Sequence, residues 1–350
     1  MQAAADARSL NLRPHAKTHK SPRWAAAQVA RGAVGICCAK LGEAEVFADA
    51  GIGDIRLPYP LNPVNADRVL ALSDRVRLSF IVDDPAVARA WSDAIHAAKR
   101  TVDVLVKVDV GFNRCGIDPE SAGAAEMVAR VADLPGLRLR GLLSHAGHAY
   151  GAASEAETSA IAASEARVLS TLASQAGARG VMLDEISVGA TPTARFSLHQ
   201  PGLTELRPGN YIYFDRTQVL LGAASWDDCA LTVLSRVVSR PAPDRVILDA
   251  GSKTLTNDQA RGFGPVRGYG AVLQDPESLV PDDSLLVERL SEEHATVRVL
   301  SGDCRLQTGD LVRIVPNHSC VVSNLVDAAW VIDGTHVLDS LPIGARGRIT

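Results

Sequence analysis

No stretch of the 350-residue chain is apolar for long enough to span a bilayer, and its opening residues do not read as a secretory signal. The six cysteines (Cys37, Cys38, Cys115, Cys229, Cys304, Cys320) are scattered, without a C-x-x-C pair or a regular framework. That distribution argues against a disulfide-stapled secreted domain and sets the expectation of a reducing cytoplasm. Charge of neither sign dominates: a formal net charge of −4 gives no general pull towards nucleic acid or an anionic membrane. Neither internal repeats nor low-complexity tracts stand out. A G-x-G-x-x-G after the first strand-like segment is also missing, which weakens the case for an open dinucleotide-binding sheet.

Apolar residues make up 47% and charged residues 22%, so the chain has enough core-forming material to exclude disorder. Strand-like and helix-like pieces alternate at a steady pace. The strand signals are Leu10–Leu12, Val34–Ala39, Asp54–Tyr59, Arg77–Val82, Asp103–Val110, Leu137–Ser144, Ile186–Val188 and a piece within Glu205–Phe214. Helical segments separate them, among them Ser21–Arg31, an Asp84-capped helix opening at Pro85, and a long helix from Glu155 capped by Ser154. Eight β/α units predict an α/β fold with a closed (β/α)₈ TIM-type barrel; an open doubly wound sheet is the alternative. From about Asp227 helical periodicity gives way to short β-rich pieces separated by Gly, Pro and Asp turns, as in a small β barrel or sandwich. The expected division is a barrel over 1–225 and a β domain over 226–350.

In such a barrel the chemistry gathers at the carboxyl ends of the strands. Arg13-Pro14-His15-Ala16-Lys17-Thr18-His19-Lys20 follows the first strand, with Pro14 forcing Arg13 extended. A lysine held there, partly out of water, has a lowered pKa and is a candidate nucleophile for a carbonyl group. The fifth strand runs into Asp109–Gly116, where Arg114 would either donate to a ligand or close a turn with a salt bridge. After the sixth come His145, His148 and Tyr150, a polar set, although one histidine could equally be a satisfied core residue. The seventh and eighth end in Ser187–Thr193 and Arg207–Tyr211, Gly- and hydroxyl-rich loops in the place where barrels commonly cradle phosphate. In the β-rich part, His318 and Cys320 stand two apart on what reads as extended chain, an N/S pair suited to Zn²⁺. Two protein ligands leave room for water or a substrate oxygen, the open arrangement of a catalytic metal.

Taken in order, these segments, with Lys40–Glu45, Asp249–Lys253, Ser291–His294 and Pro316–Cys320, resemble the D-threonine aldolase / D-serine dehydratase group of fold-type III pyridoxal-phosphate enzymes, relatives of alanine racemase. The resemblance covers essentially the whole chain. It implies pyridoxal 5'-phosphate (PLP) carried as a Schiff base on Lys17, with Arg114 and Tyr150 against the cofactor. It implies Gly189, Thr191, Gly209 and Asn210 at the phosphate, and His318 with Cys320 on a divalent metal. Zinc is favoured over manganese, because thiolate is a soft ligand. A homodimer acting on small D-amino acids is also implied. The His-x-Cys pair resembles D-serine and 3-hydroxyaspartate dehydratases, whereas D-threonine aldolases place Asp at the second position. The expectation is therefore elimination of water to a 2-oxo acid and ammonia. The alternative is aldol cleavage to glycine and an aldehyde, with His148 or a metal-bound water as base. A racemase or a non-catalytic PLP-binding regulator fits less well, since neither needs the metal pair. Group members usually begin a few dozen residues earlier, with a strand and helix, the strand joining the β domain; the expectation here is either a start chosen too late or a second domain with one unpaired edge.

Overall fold

Short apolar runs bounded by glycines and capping residues become eight parallel strands. These are β1 (Asn11–Leu12), β2 (Ile36–Cys37), β3 (Asp54–Pro60), β4 (Arg77–Val82), β5 (Val102–Lys107), β6 (Leu137–Leu143), β7 (Glu185–Val188) and β8 (Glu205–Leu206). The computed structural model describes residues 1–302 and 304–350. Strand order is β1-β8-β7-β6-β5-β4-β3-β2, so each strand from β2 to β8 lies beside its sequence neighbours. A parallel bridge between His15 and Cys37 then joins the two ends of the sheet. With Cys37 N–H donating to Pro14 O, the sheet closes on itself as the expected barrel.

After a short leading helix, α1 (Gln2–Asp6), one helix follows each strand. They are α2 (Pro22–Ala30), α3 (Leu41–Asp49), α4 (Ala66–Ser73), α5 (Pro85–Ala97), α6 (Ala124–Ala132), α7 (Glu155–Gly177), α8 (Thr191–Ser197) and α9 (Arg216–Leu220). Helix α5 starts where Asp84 accepts from the Ala86 and Val87 N–H groups, and α7 where Ser154 accepts from Glu157. Ser21 occupies the expected N-cap of α2, but its side chain makes no cap hydrogen bond. None of the helices among the described residues is long and apolar enough to cross a membrane.

The barrel interior is not purely aliphatic. Arg56 donates to Ser79 Oγ, to Glu205 Oε1 at 2.5 Å and to Glu185 Oε2 at 2.6 Å. Arg13 pairs with Asp54 and with Glu205 Oε2. Ser187 Oγ links Glu205 to Arg207, carrying the lattice up to the carboxyl end of the strands. Burial alone would push the Glu205 carboxyl up, but Arg56 and Arg13 outweigh it and hold it at about 2. A carboxylate depressed in the folded state adds stability that is complete above its ordinary range and disappears as the pH falls through its folded value. Glu205→Gln, which leaves two buried guanidinium groups short of a counter-charge, should cost about 3–5 kcal/mol in urea unfolding at neutral pH. The difference from wild type should shrink on acidification towards pH 2. Equal urea midpoints at pH 7 would contradict this account.

The second unit is antiparallel: β9 (Val233–Ala242), β10 (Arg245–Leu248), β11 (Ala271–Val272), β12 (Leu285–Leu290), β13 (Ala295–Val299) and β14 (Leu311–Val315), in the order β11-β14-β9-β10-β13-β12. Alternating residues such as Val233, Ser235 and Val237 face inward, and Val246, Val297 and Ile314 join the buried cluster. Tyr269 N–H donates to Val287 O, so the β11 end curls towards β12. A hairpin, β15 (Ala328–Asp333) and β16 (His336–Pro342), pairs only with itself among the described residues. The chain then returns to the barrel, where Ala345 N–H donates to Lys20 O and Gly42 N–H to Thr350 O.

Candidate active site

Beyond β1, Pro14 keeps the chain extended and residues Ala16–Thr18 make a single 3₁₀ turn, with His15 Nδ1 accepting from Lys17 N–H. This turn sets Lys17 on the wall of a cavity of about 550 Å³ at the carboxyl ends of the strands. Desolvation holds the Lys17 amine below its ordinary value of 10.5; Arg114 and Arg207 push the same way against Cys320 and Glu43. His15 is driven far below its usual range, first by burial and then by Lys17 and Arg207, so it stays neutral.

Of the residues expected at the site, Lys17, Arg114, Tyr150, Gly189, Thr191, Gly209, Asn210, His318 and Cys320 all line this one cavity. Gly209 permits the approach of the β8 loop to the lysine turn: a Cβ there would lie 2.9 Å from Thr18 Oγ1. A Cβ on Gly189 would meet the Arg207 side chain, also at 2.9 Å. Thr191 Oγ1 is buried on the cavity wall without a hydrogen-bond partner, as is Gln218 Oε1. Tyr150 Oη accepts from Gln218 Nε2, and burial pushes the phenol up. Arg114 stacks over the Phe112 ring at 5.0 Å.

One expectation needs correction. His148 is not on the cavity wall; the 3₁₀ turn Gly147–Gly151 carries it away, and its ring packs beside Gly111. His145 lines the cavity instead, with Nδ1–H donating to Gly189 O, which leaves Nε2 with a free lone pair. Burial, then Lys17, hold that imidazole neutral. Asn210, expected at a phosphate, turns its amide donors to Asp215 Oδ2 at 2.7 Å, Ser319 Oγ at 3.1 Å and Cys320 Sγ at 3.4 Å. It braces the His318–Cys320 segment rather than offering side-chain donors to an anion.

That segment is not extended throughout, as its spacing suggested. His318 is the extended N-cap of a short helix, α11 (Ser319–Ser323), and Cys320 lies in the first turn. Both side chains nevertheless line the same cavity, close enough to shift one another's protonation. Burial would raise the Cys320 thiol, but His318 draws it below its ordinary value; His318 itself, lowered by burial, is lifted to about 9 by Cys320 and Asp258. Cys320 Sγ lies 3.2 Å from Thr18 Oγ1, next to Lys17 in the chain. No group of three or more His, Cys, Asp and Glu side chains among the described residues is arranged to hold a metal ion. The imidazole of His318 and the thiol of Cys320 are donors suited to a metal held by two protein ligands with open positions, and the buried lysine with the Thr191 hydroxyl fits an aldehyde-bearing anionic cofactor. Sequence reasoning passed over Arg207, Asp215 and Asp258, each of which also lines the cavity.

Fold and site together define an α/β barrel whose carboxyl end holds a buried lysine in the same cavity as a histidine–cysteine pair. Residues 2–217 match the family model described as alanine racemase, N-terminal domain, and residues 230–332 match that of a serine dehydratase domain. D-threonine aldolase of Arthrobacter sp. is 35% identical over 99% of this chain and 88% of its own length. D-threo-3-hydroxyaspartate dehydratase of Delftia sp. is 32% identical over 91% of this chain and 86% of its own. The solved Delftia enzyme superimposes with a TM-score of 0.91, covering 97% of this chain and 92% of that one. Its solved variants include a His→Ala and a Cys→Ala replacement two positions apart, the latter described as metal-free. The chain belongs to this family of lyases, which includes D-threonine aldolase, D-serine dehydratase and hydroxyaspartate dehydratase, on an alanine racemase-like fold.

Proposed function

We propose that the protein is a PLP- and divalent-metal-dependent lyase that removes water from a small D-β-hydroxy amino acid, D-serine or D-threo-3-hydroxyaspartate, giving a 2-oxo acid and ammonia. The observation that carries this reading is the His318–Cys320 pair brought against the Lys17 turn by the Cys320–Thr18 contact. The spacing of that pair equals the spacing of the two replacements in the Delftia enzyme, one of which accompanies a metal-free form. Zinc suits a thiolate–imidazole pair, with manganese as the alternative.

Lys17 would hold the cofactor aldehyde, Thr191 with the Gly189 and Gly209 loops its phosphate, and Arg114 and Tyr150 its ring. Bound there, PLP supplies an electron sink for Cα and the metal a Lewis acid for the β-oxygen. The Lys17 amine, whose surroundings disfavour its protonated form, takes the Cα proton. Arg207, buried at the cavity floor and tied to Ser187 and the Ser144 carbonyl, keeps that amine in a positive field. Elimination ends with hydrolysis of the released enamine.

Aldol cleavage is the second reading, favoured by the 35% identity to the Arthrobacter aldolase. It requires a base at the β-hydroxyl, and neutral His145 with its free Nε2 lone pair is the cavity residue that fits. Metal-loaded enzyme given D-serine, D-threonine and D-threo-3-hydroxyaspartate separates the two. Oxo acid and ammonia are the expected products; glycine and an aldehyde would overturn the dehydratase assignment. A homodimer is part of the reading and is tested by sedimentation of the holoenzyme.

A further inference from the structure

We propose that Asp258 is a positioning residue for the metal-binding pair: it fixes the tautomer and orientation of His318 from outside the ligand set. The inference rests on the reading of His318 and Cys320 as metal ligands.

Asp258 belongs to the second unit, in the loop between the short helix α10 (Ser252–Leu255) and β11, 60 positions from His318 in sequence. Its Oδ2 lies 2.6 Å from His318 Nδ1. A carboxylate oxygen accepts here, so Nδ1 carries the hydrogen-bonded proton and Nε2 is the nitrogen left to face a metal. A carboxylate on the far nitrogen of a ligating imidazole holds the ring in one tautomer and makes the ligand a better donor.

The loop is built to bring the carboxylate to that place. Thr256 sits at φ +63°, in the left-handed region, and turns the chain sharply after α10. Its Oγ1 accepts from Asp258 N–H at 3.0 Å. Asn317, 1% exposed and adjacent to His318, donates through Nδ2 to both Asp258 O and Gly268 O at 2.9 Å. The residue beside the ligand therefore grips the backbone of the residue that orients it. Arg216 closes the frame, donating to Asn317 Oδ1 at 3.2 Å.

The test uses cobalt(II) as the probe on PLP-loaded protein, reading thiolate-to-cobalt absorption as a function of added metal. In wild type the band should appear, and in Cys320→Ala it should not. Asp258→Ala should reach the same band at saturation, with a dissociation constant raised about 10–100-fold. Asp258→Asn, whose amide oxygen still accepts from Nδ1–H, should recover most of that loss. Unchanged cofactor absorbance in both variants reports an intact fold. A wild-type dissociation constant in Asp258→Ala overturns the inference. An altered or absent band at saturation in Asp258→Ala overturns it too, because Asp258 would then be a ligand. No band in wild type, or a band kept in Cys320→Ala, would instead bring down the metal reading itself.

Discussion

Lys17→Ala is expected to purify without the visible absorbance of bound PLP and to turn over D-serine at least about 10³-fold more slowly than wild type. Lys17 is the one lysine on the cavity wall among the described residues. A second buried amine, Lys107, provides the contrast. Desolvation, and next the Arg207 charge, bring it down to about 8, but it is 3% exposed inside the barrel and does not reach the cavity. Lys107→Met should therefore keep the cofactor band. Absorbance retained in the Lys17 variant and lost in the Lys107 variant would move the attachment point and undo the assignment.

Removing the metal is expected to come close behind. Dialysis against EDTA, or Cys320→Ala, should lower turnover by roughly 10²–10³-fold, the scale lost when a principal stabiliser of developing charge is taken away. Zinc should restore the dialysed wild type and leave the variant inactive. The cofactor band should survive both treatments, since Cys320 meets the lysine turn through Thr18 rather than through Lys17 itself. Undiminished oxo acid production by a chelated enzyme verified free of metal would exclude the metal from the reaction.

Most of the barrel could be read directly. Periodic apolar strands and the Asp84 and Ser154 caps are local signals, and the barrel strands formed close to their expected places. Of the nine expected residues that line the cavity, seven stand on loops at the ends of barrel strands, and barrel topology sends all such loops to one face. His148 was misread for a local reason: in Ser144-His145-Ala146-Gly147-His148, the identity of the inward histidine depends on a 3₁₀ turn that no apolar period announces. The partners of the Asn210 amide, Asp215 and Cys320, are not encoded by its own loop.

By itself, the order of residues determined the number of barrel strands, the lysine turn after β1 and the His-x-Cys spacing, since backbone propensity and side-chain period act over a few residues. Tertiary structure decided what those pieces meet. Arg56, Glu185 and Glu205 come from three strands, and Arg13 from just beyond β1; they pair only once the sheet has closed. Cys320 reaches Thr18 across 302 positions of chain, and Asp258 reaches His318 across 60. Long-range partners of this kind leave no periodic trace, because a buried charge requires a counter-charge nearby in space and sets no condition on where in the chain it lies.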